Sequence, residues 1–401
     1  MKKLLTSLFV CLCFFSLAFS FDFGLNVYNN TSFLKQYKSQ TVLQSNTAAL
    51  WASQRAENYE AVGSISYTFN YLQTVDSSQI DLGIIDLDYL YYTRYLNFEG
   101  QVVDTLDVQV GRFLTSNLNG YIFNSKLDGL KAEASLNNLS FGAQILYTGL
   151  LLNKTSPIKM SSVDMINAID DKQIFGSKRI VYSAYALFDE LAFRQNVSLE
   201  FTGQNDLNSS GEDSVNSYYL SLGLNGPIIP SLDYDLVSVY GIANVYNTIE
   251  SYVLVDANLR LAIPTIKGQL SLEGLFPFAL HDSGGSFKAI TEKPLSFVET
   301  AITATSLQSL TLTANMSLSS TVLLSAKFHN YFSQSPNAFS FVDPTKEGRY
   351  VGSELVFNCS LIPTSDFSLG LTGGIMLFNK DLVEDTSLNP FKVSLTASLF
   401  I

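Results

Sequence analysis

Apolar and polar residues alternate along most of this 401-residue chain. The stretch FKVSLTASLFI at 391–401 is a clear case, and comparable alternation occurs at 104–110, 253–263 and 266–278. Successive side chains of a β-strand point to opposite faces, so each such stretch has one apolar face and one polar face. After residue 20 no apolar run approaches the roughly 18–20 residues that a membrane helix needs. The sequence therefore predicts an all-β protein.

The composition indicates where these strands lie. The chain is 47% hydrophobic and 13% aromatic, and only 15% of its residues are charged, against about 25% in average soluble chains. In a chain that is this apolar and has no membrane helix, we expect the apolar residues to lie on strands with one apolar face and one polar face. The formal net charge of −12 argues against nucleic acid as a partner. Cys359 is the one cysteine after residue 20, and no His/Cys cluster has metal-ligand spacing, so we expect neither a disulfide nor a cofactor.

The first twenty residues, MKKLLTSLFVCLCFFSLAFS, are typical of a secretory signal peptide. Two lysines precede an apolar run, and Ala18-Phe19-Ser20 forms a small-x-small cleavage site. We expect cleavage after Ser20 and export from the cytoplasm. Residues 21–401 show no linker and no shift in composition, which predicts a single domain.

The connectors between the predicted strands alternate between short and long. Tight turns are predicted at 137–138, 264–265 and 319–320, whereas 151–177 and 333–347 are long. Outer-membrane barrels have short turns at one end and long loops at the other, and a soluble sandwich has no reason to sort its loops in this way. The sequence therefore predicts a single closed antiparallel transmembrane β-barrel.

The predicted strand count is about 18, with 16 as the alternative. Two segments carry the uncertainty. Residues 296–318 are interpreted as one long strand, although they would also fit two, and residues 31–44 are interpreted as a loop within the first hairpin. A barrel avoids unpaired backbone groups in lipid only when its last strand pairs with its first along the whole length.

The final segment resembles the C-terminal recognition strand of Gram-negative outer-membrane proteins, which the barrel-assembly machinery reads. Strands of that kind usually end in Phe, whereas this one ends in Phe400-Ile401. The resemblance implies outer-membrane lipid and the assembly machinery as partners, and a location in the bacterial cell outer membrane. The apolar residues that would carry the signal are Phe391, Val393, Leu395, Leu399 and Ile401.

A second resemblance covers about thirty residues. VQVGRF at 108–113, a loop, and KLDGLKAEASL at 126–136 are similar to the strand–loop–strand layout of substrate-uptake porins. In that layout Gly-Arg ends one strand and Asp-Gly opens the next. The resemblance implies a porin-like protein without indicating a solute.

A barrel of this size is too wide for its own side chains to fill. Our hypothesis is that the charged residues on the inward parity line an aqueous channel for small hydrophilic solutes, with a mild preference for cations or neutral solutes. The alternative is that they merely solvate the inner wall. The candidates are Asp86, Asp88, Arg94, Asp107, Lys131, Glu133, Glu200, Asp233, Asp235, Asp256, Arg260, Lys267, Glu273, Lys327, His329, Glu354 and Lys392.

Selectivity also needs a constriction, and two connectors are candidates. In 151–177, Ser161 or Ser162 would cap a short helix that carries Val163, Ile166 and Ile169. This connector bends into the lumen or remains an external loop, and the sequence leaves both open. Residues 113–127 are the other candidate.

Other classes of function are less favoured. A barrel hydrolase is not expected, because His329 falls on the inward parity and His281-Asp282-Ser283 are sequence neighbours, which rarely have triad geometry. A hydrophobe transporter similar to the fatty-acid family would have about 14 strands and an N-terminal hatch, whereas strand-like alternation here begins at Phe21. A surface adhesin or structural barrel with a closed lumen is the third alternative. A homotrimer is compatible with the sequence, which does not decide the oligomeric state.

Overall fold

The computed structural model describes residues 21–36, 39–75, 77–98, 103–152, 158, 160–170, 173–207, 214–245, 248–280, 287–333, 348–382 and 389–401. Residues 1–20, which carry the predicted signal peptide, lie outside the described residues. The described residues form one eighteen-stranded sheet. The first nine strands are β1 Asp22–Gln36, β2 Ser39–Ala56, β3 Tyr59–Thr74, β4 Ser78–Asn97, β5 Thr105–Ser116, β6 Asn124–Leu136, β7 Leu139–Tyr147, β8 Arg179–Leu191 and β9 Gln195–Asp206.

The second half of the chain continues the same antiparallel meander. Its strands are β10 Val215–Ile229, β11 Leu232–Val245, β12 Thr248–Ile263, β13 Gly268–Ala279, β14 Gln308–Ser317, β15 Val322–Phe332, β16 Tyr350–Thr364, β17 Phe367–Phe378 and β18 Phe391–Phe400.

The sheet closes on itself because β18 pairs with β1. The register of this seam runs from Asn26 opposite Phe400 to Lys35 opposite Phe391. Beyond the last strand residue, Leu25 and Ile401 exchange backbone hydrogen bonds of 2.8 and 2.9 Å. A free edge in hydrocarbon would cost several kcal/mol for each unpaired backbone group. The predicted closed antiparallel barrel is confirmed with eighteen strands, and the alternative of sixteen is wrong.

The two faces of the wall differ as the alternation predicts. Large apolar side chains such as Leu50, Ile85 and Ile145 are 65%, 75% and 62% exposed on the outer face. The intervening residues face the lumen and include polar side chains such as Gln144 and Glu200 and buried apolar ones such as Leu146 and Val181. An apolar outer surface around a polar interior is the architecture of a bacterial outer-membrane barrel. Four of the residues predicted to carry the assembly signal are exposed on the outer surface: Val393, Leu395, Leu399 and Ile401.

The connectors are sorted by length only in part, because two or three residues join β1 to β2, β3 to β4 and β11 to β12 at the end where long loops were predicted. The residues between β2 and β3, β6 and β7, β10 and β11 and β14 and β15 make tight turns at the end of the barrel that carries Asp22 and Phe400. Longer connectors follow β5, β7, β13, β15 and β17 at the other end. In outer-membrane barrels the short turns face the periplasm and the long loops face outward.

Two sequence interpretations are wrong. Residues 31–44 are not a loop, because β1 extends to Gln36 and β2 begins at Ser39. Their many polar residues suit a strand that borders a wet lumen. Residues 296–318 are not one strand, because β14 begins only at Gln308. The residues before it, including the fully buried Ile302, pack inside the lumen, and this burial overrides their strand propensity.

One short helix, α1 (Ser162–Ile169), lies in the connector between β7 and β8. Ser161 caps it, and a capping box joins Ser161 to Asp164, because a side-chain oxygen at this position satisfies the free N–H groups of the first turn. The helix predicted after Ser161 or Ser162 is therefore present. Among the described residues no helix is both long and apolar enough to cross a membrane.

Candidate functional site

The connector between β5 and β6 turns into the barrel. The side chains of Tyr121, Ile122 and Phe123 are 4% or less exposed, and they pack among inward-facing residues that include Phe113 and Leu146. The Asn117 carboxamide oxygen accepts hydrogen bonds from the backbone N–H groups of Ile122 and Phe123 at 3.0 and 3.1 Å. Of the loop predicted at 113–127, residues 117–123 do bend into the lumen, whereas 113–116 and 124–127 belong to β5 and β6.

A second inward element, residues 287–307 between β13 and β14, was not predicted. We call it the lumen segment. Its backbone joins the connector between β5 and β6, residues 117–123, which we call the first loop. The N–H groups of Ile290 and Thr291 donate to the Ile122 carbonyl at 2.7 and 3.1 Å. At its start Phe287 packs against the rings of Tyr219 and Tyr252, both on the inner wall. The lumen segment thus crosses the barrel interior and divides it.

Glu354 on β16 holds the far part of the lumen segment. Its Oε1 accepts hydrogen bonds from the Ser296 hydroxyl at 3.0 Å and from the backbone N–H groups of Phe297 and Val298 at 3.0 and 2.8 Å. Its Oε2 accepts one from the Tyr331 hydroxyl at 2.8 Å. A buried carboxylate is tolerated when donors surround it in this way. Glu354 is therefore an anchor rather than a solvent-facing channel residue.

Two acidic residues anchor the first loop in the same manner. Glu200 on β9 accepts the Leu118 backbone N–H at 2.8 Å. Asp256 on β12 accepts the Tyr121 hydroxyl at 2.9 Å. Both acids are on the inward parity, as predicted, and both fix the position of an element that narrows the lumen.

The Gly-Arg and Asp-Gly pairs noted in the sequence lie directly opposite each other. Gly111 is paired with Gly129, and Arg112 with Asp128, with 2.8 Å between the Arg112 Nη1 and the Asp128 Oδ2. Gly111 has φ +121°, and a Cβ there would lie 2.1 Å from the Leu90 carbonyl oxygen, so no other residue fits without distortion. This motif fixes the point at which β5 and β6 separate from β4 and turn inward.

Of the connector 151–177, the structure describes 151–152, 158, 160–170 and 173–177, and this part only partly enters the barrel. Asp164 of α1 forms a buried ion pair with Arg179 at 2.9 Å, and Met160 packs on the inner core. Val163, Met165 and Ile166 of α1 are exposed. The connector therefore closes against the rim above β8.

An acidic cavity of about 430 Å³ lies between the first loop and strands β9 to β13. Three carboxylates line it, those of Asp235, Asp256 and Glu273. Lys293 of the lumen segment is the one basic residue among the lining residues that the structure describes, and its Nζ lies 4.1 Å from the centroid of the Tyr121 ring. We call this the acidic cavity.

A second cavity of about 530 Å³ lies on the other side of the lumen segment, against β14 to β17. Leu295 and Phe297 of the lumen segment form one side, and Lys327 and His329 line the wall. Within the described residues no carboxylate belongs to its lining. The His329 Nδ1 is 2.8 Å from the Thr311 hydroxyl. We call this the basic cavity.

Most of the predicted pore-lining residues face the interior. Some lie together: Lys131 and Glu133 form an ion pair at 3.0 Å, and Lys392 lies over the Phe297 ring. We assign a side chain to the inner face when it alternates along its strand with exposed apolar residues of the outer face. The predicted residues that meet this criterion are Asp86, Asp107, Lys131, Glu133, Glu200, Asp233, Asp235, Asp256, Arg260, Glu273, Lys327, His329, Glu354 and Lys392.

Three predicted positions differ. Arg94 shares its parity with the exposed Leu90 and Tyr92 and therefore faces outward. Lys267 lies in the short turn before β13, with a left-handed φ of 48°, and not on the wall. Asp88 lies at an irregularity in the β3–β4 register and pairs with Lys126.

Residues contributed by the inward connectors are not among the predicted pore-lining positions. Tyr121, Lys293 and Phe297 all contact the cavities, yet none lies on an alternating strand. The only sequence signal was the aliphatic and aromatic content of these connectors, which is unusual for loops that face water.

Comparison with known proteins identifies the fold. A scan against protein-family models finds no match, and a search of curated proteins finds none either. Solved structures do match. Pseudomonas aeruginosa OccK7 (OpdD) is similar with a TM-score of 0.62 and 11% identity, over 95% of this chain and 98% of that chain.

Two further structures from Pseudomonas aeruginosa agree. OccD3 (OpdP) matches with a TM-score of 0.59 and 10% identity, over 95% of this chain and 91% of that chain. OprD matches with a TM-score of 0.53 and 10% identity, over 95% of each chain. These proteins are outer-membrane porins of the OprD/Occ group. At such identity the likeness establishes the fold, which is that of a bacterial outer-membrane barrel of the porin type.

Proposed function

We propose that this porin-fold chain is an outer-membrane channel for passive diffusion or uptake of small hydrophilic solutes, with a mild preference for cations or neutral solutes. The observation that carries the proposal is the pair of polar cavities inside a closed barrel. Inward connectors narrow the lumen without filling it, and the remaining space is lined by hydroxyl, amide and charged groups. Hydrophilic solutes would exchange their hydration shells for these groups.

The preference for cations follows from the balance of inward charges. On β9 to β13 the acids Glu200, Asp233, Asp235, Asp256 and Glu273 face inward against Arg260. A wall with surplus negative charge raises the local concentration of cations and lowers that of anions. Because Glu200 and Asp256 are used as anchors for the first loop, the surplus of negative charge that reaches a solute is moderate, which supports a mild preference.

The experiment is a planar-bilayer recording of the purified, refolded protein. We expect discrete conductance steps in KCl, and a reversal potential in a salt gradient that favours K⁺ over Cl⁻. Heat-dependent gel migration of the same preparation shows whether the barrel is folded. A folded preparation without conductance steps would favour the closed structural barrel or adhesin.

The other classes gain no support from a specific observation. The cavities are lined by polar side chains together with apolar ones such as Leu295, Phe297 and Val356. Only Phe21 lies between the predicted cleavage site after Ser20 and β1, which disfavours an N-terminal hatch. The matched structures are porin channels, which favours a non-enzymatic role. His281, Asp282 and Ser283 lie outside the described residues. The proposed partners remain outer-membrane lipid, the barrel-assembly machinery through β18, and small solutes; a homotrimer stays a prediction.

A further inference from the structure

The outer wall of the barrel carries a groove. A cavity of about 720 Å³ lies against strands β13 to β18, and we call it the outer groove. Phe357 and Leu371 line it and are 57% and 52% exposed, so it opens on the apolar outer face and not on the lumen. In an outer-membrane barrel this face is in contact with hydrocarbon. The outer groove therefore continues the lipid-facing surface of the wall.

One row of outward residues crosses the outer groove from strand to strand. Its members are direct neighbours in the sheet register: Leu270, Ala314, Ala326, Phe357, Gly373 and Val393. The next outward row towards the long loops is bulky throughout: Leu272, Leu312, Phe328, Leu355, Ile375 and Phe391. The two alanines and the glycine beside this bulky row leave a depression in the wall.

Gly373 is not explained by the conformation or the packing of the protein itself. Its φ lies outside the left-handed region, and a Cβ placed there would meet no atom of the described residues within 4 Å. Glycine in the interior of a strand weakens the strand, and it often marks a site that a ligand approaches closely. The open space over Gly373 therefore indicates an occupant that the described chain does not supply.

The outer groove rises along the wall from the short-turn end. Leu270 is the third residue of β13, whereas Gly373 is the seventh residue of β17, and both strands begin at a short turn. Between β13 and β18 the row crosses five strand spacings of about 4.8 Å, so its length is about 24 Å. Because strands of such barrels tilt by about 35–45°, it rises by about 15 Å. That rise equals one leaflet of a hydrocarbon core about 30 Å thick.

A basic residue lies at the short-turn end of the outer groove. Ile266 lines the groove, and Lys267 follows it in the turn before β13. Lys267 also lines an adjoining cavity that shares Met316 and Leu324 with the groove. It is the one basic residue in the turns 264–267, 318–321 and 365–366. A lysine at the level of the headgroups attracts an anionic lipid.

We propose that the outer groove binds one acyl chain of a phospholipid of the inner leaflet, with the phosphate of that phospholipid beside Lys267. The chain runs from the headgroup level at β13 to the middle of the wall and fills the space over Gly373. The basic turn favours a phospholipid over a second copy of this chain, whose outer face is apolar. The site does not depend on the channel function, because it lies on the other face of the wall from the lumen.

The test is native mass spectrometry of the folded barrel released from micelles that contain palmitoyl-oleoyl-phosphatidylglycerol. We expect one phospholipid to stay on the parent protein at collision energies that remove all others. A326L/G373L fills the groove and should lower the retained fraction several-fold, and K267Q should lower it by a smaller factor. A143L is the matched control, because Ala143 alternates with the exposed Phe141 and Ile145 but does not line the groove. It should retain the phospholipid like the parent protein.

Equal retention by the parent protein and A326L/G373L would overturn the proposal. A dimer that this double variant abolishes would assign the groove to a second copy and would also overturn it. Heat-dependent gel migration shows whether the double variant is folded. Its KCl conductance should equal that of the parent protein, because both side chains face away from the lumen, so failure of the channel and failure of the lipid site are distinguishable.

Cys359 provides a second test that needs no change in the groove. It lines the groove and is the one cysteine after residue 20. Added phosphatidylglycerol should slow the reaction of its thiol with methyl methanethiosulfonate several-fold in the parent protein. In C359S/A143C, where the thiol lies on the outer wall away from the groove, the rate should not change. Equal effects of the lipid on the two proteins would overturn the proposal.

Discussion

The two cavities of the lumen are built by the same strand pattern and yet differ in charge. The acidic cavity against β9–β13 has three carboxylates and Lys293, and the basic cavity against β14–β17 has Lys327 and His329 with no described carboxylate. Alternation decides only that a side chain faces inward. The charge of the solute that a cavity attracts depends on which residue occupies each inward position. One barrel therefore presents an acidic and a basic surface to the solutes in its lumen.

The lumen segment keeps these two surfaces apart. Its Lys293 lines the acidic cavity, whereas Leu295 and Phe297 line the basic cavity. The segment is held to the first loop at Ile122 and to the wall at Glu354. The contrast between the two cavities therefore depends on the contacts that hold the lumen segment in place.

The largest effect is expected from removing the partition. Replacing residues 288–306 by a short Gly-Ser linker should merge the two cavities and raise the single-channel conductance several-fold, because the wall alone leaves a wide opening. Planar-bilayer recording measures the step size, with heat-dependent migration as the folding control. An unchanged step size would mean that the lumen segment lies outside the ion path.

A smaller effect is expected from releasing one end of the segment. Glu354→Ala removes the acceptor of four hydrogen bonds, and hydrogen bonds to a charged group contribute about 1.5–3 kcal/mol each. The freed segment should move, which gives a noisier open-channel current and a modest increase in conductance. E354Q keeps one carbonyl acceptor and should fall between the parent protein and E354A; quiet currents in E354A would contradict the anchoring role.

Neutralising one charge in each cavity tests whether the two cavities contribute separately to ion selectivity. Asp235→Asn should lower the permeability ratio of K⁺ to Cl⁻, and Lys327→Gln should raise it, because each removes a fixed charge from its own wall. Reversal potentials in a KCl gradient measure both. Arg94→Gln is the matched control, since Arg94 faces outward, and it should leave the ratio unchanged. Shifts of the same sign in D235N and K327Q would show that the cavities do not act separately.

The smallest effect concerns pH. Burial raises the pKa of the Glu299 carboxyl above its ordinary value of 4.5, and the Glu354 charge adds to this. The folded segment thus binds the proton more tightly than an unfolded one, so packing of the segment weakens as pH rises from 4.5 through the raised pKa. Current noise should grow over that interval in the parent protein and stay constant in E299Q, which mimics the protonated form. The same pH dependence in E299Q would assign it to another group.

Alternation was sufficient to predict the architecture, because period and connector length are local properties of a chain. The site was only partly predictable. The parity rule placed Glu200, Asp256 and Glu354 inward, but their role as anchors depends on connectors whose course no local pattern specifies. Arg94 was misplaced because the register irregularity at Asp88 reverses the parity of the rest of β4, and a single extra residue in a strand leaves no mark on composition.

The seam between β1 and β18 has a consequence for how the molecule is made. The Ser394 hydroxyl donates to the Asn30 carboxamide at 2.6 Å across 364 positions of sequence. Contacts of such separation are the slowest to form, because the chain entropy of a very large loop is lost before any pairing offsets it. The edge of β1 therefore remains unpaired until β18 has formed and pairs with it. A peptide with the sequence of β18 would compete with β18 for the unpaired edge of β1 and would arrest the barrel as an open intermediate.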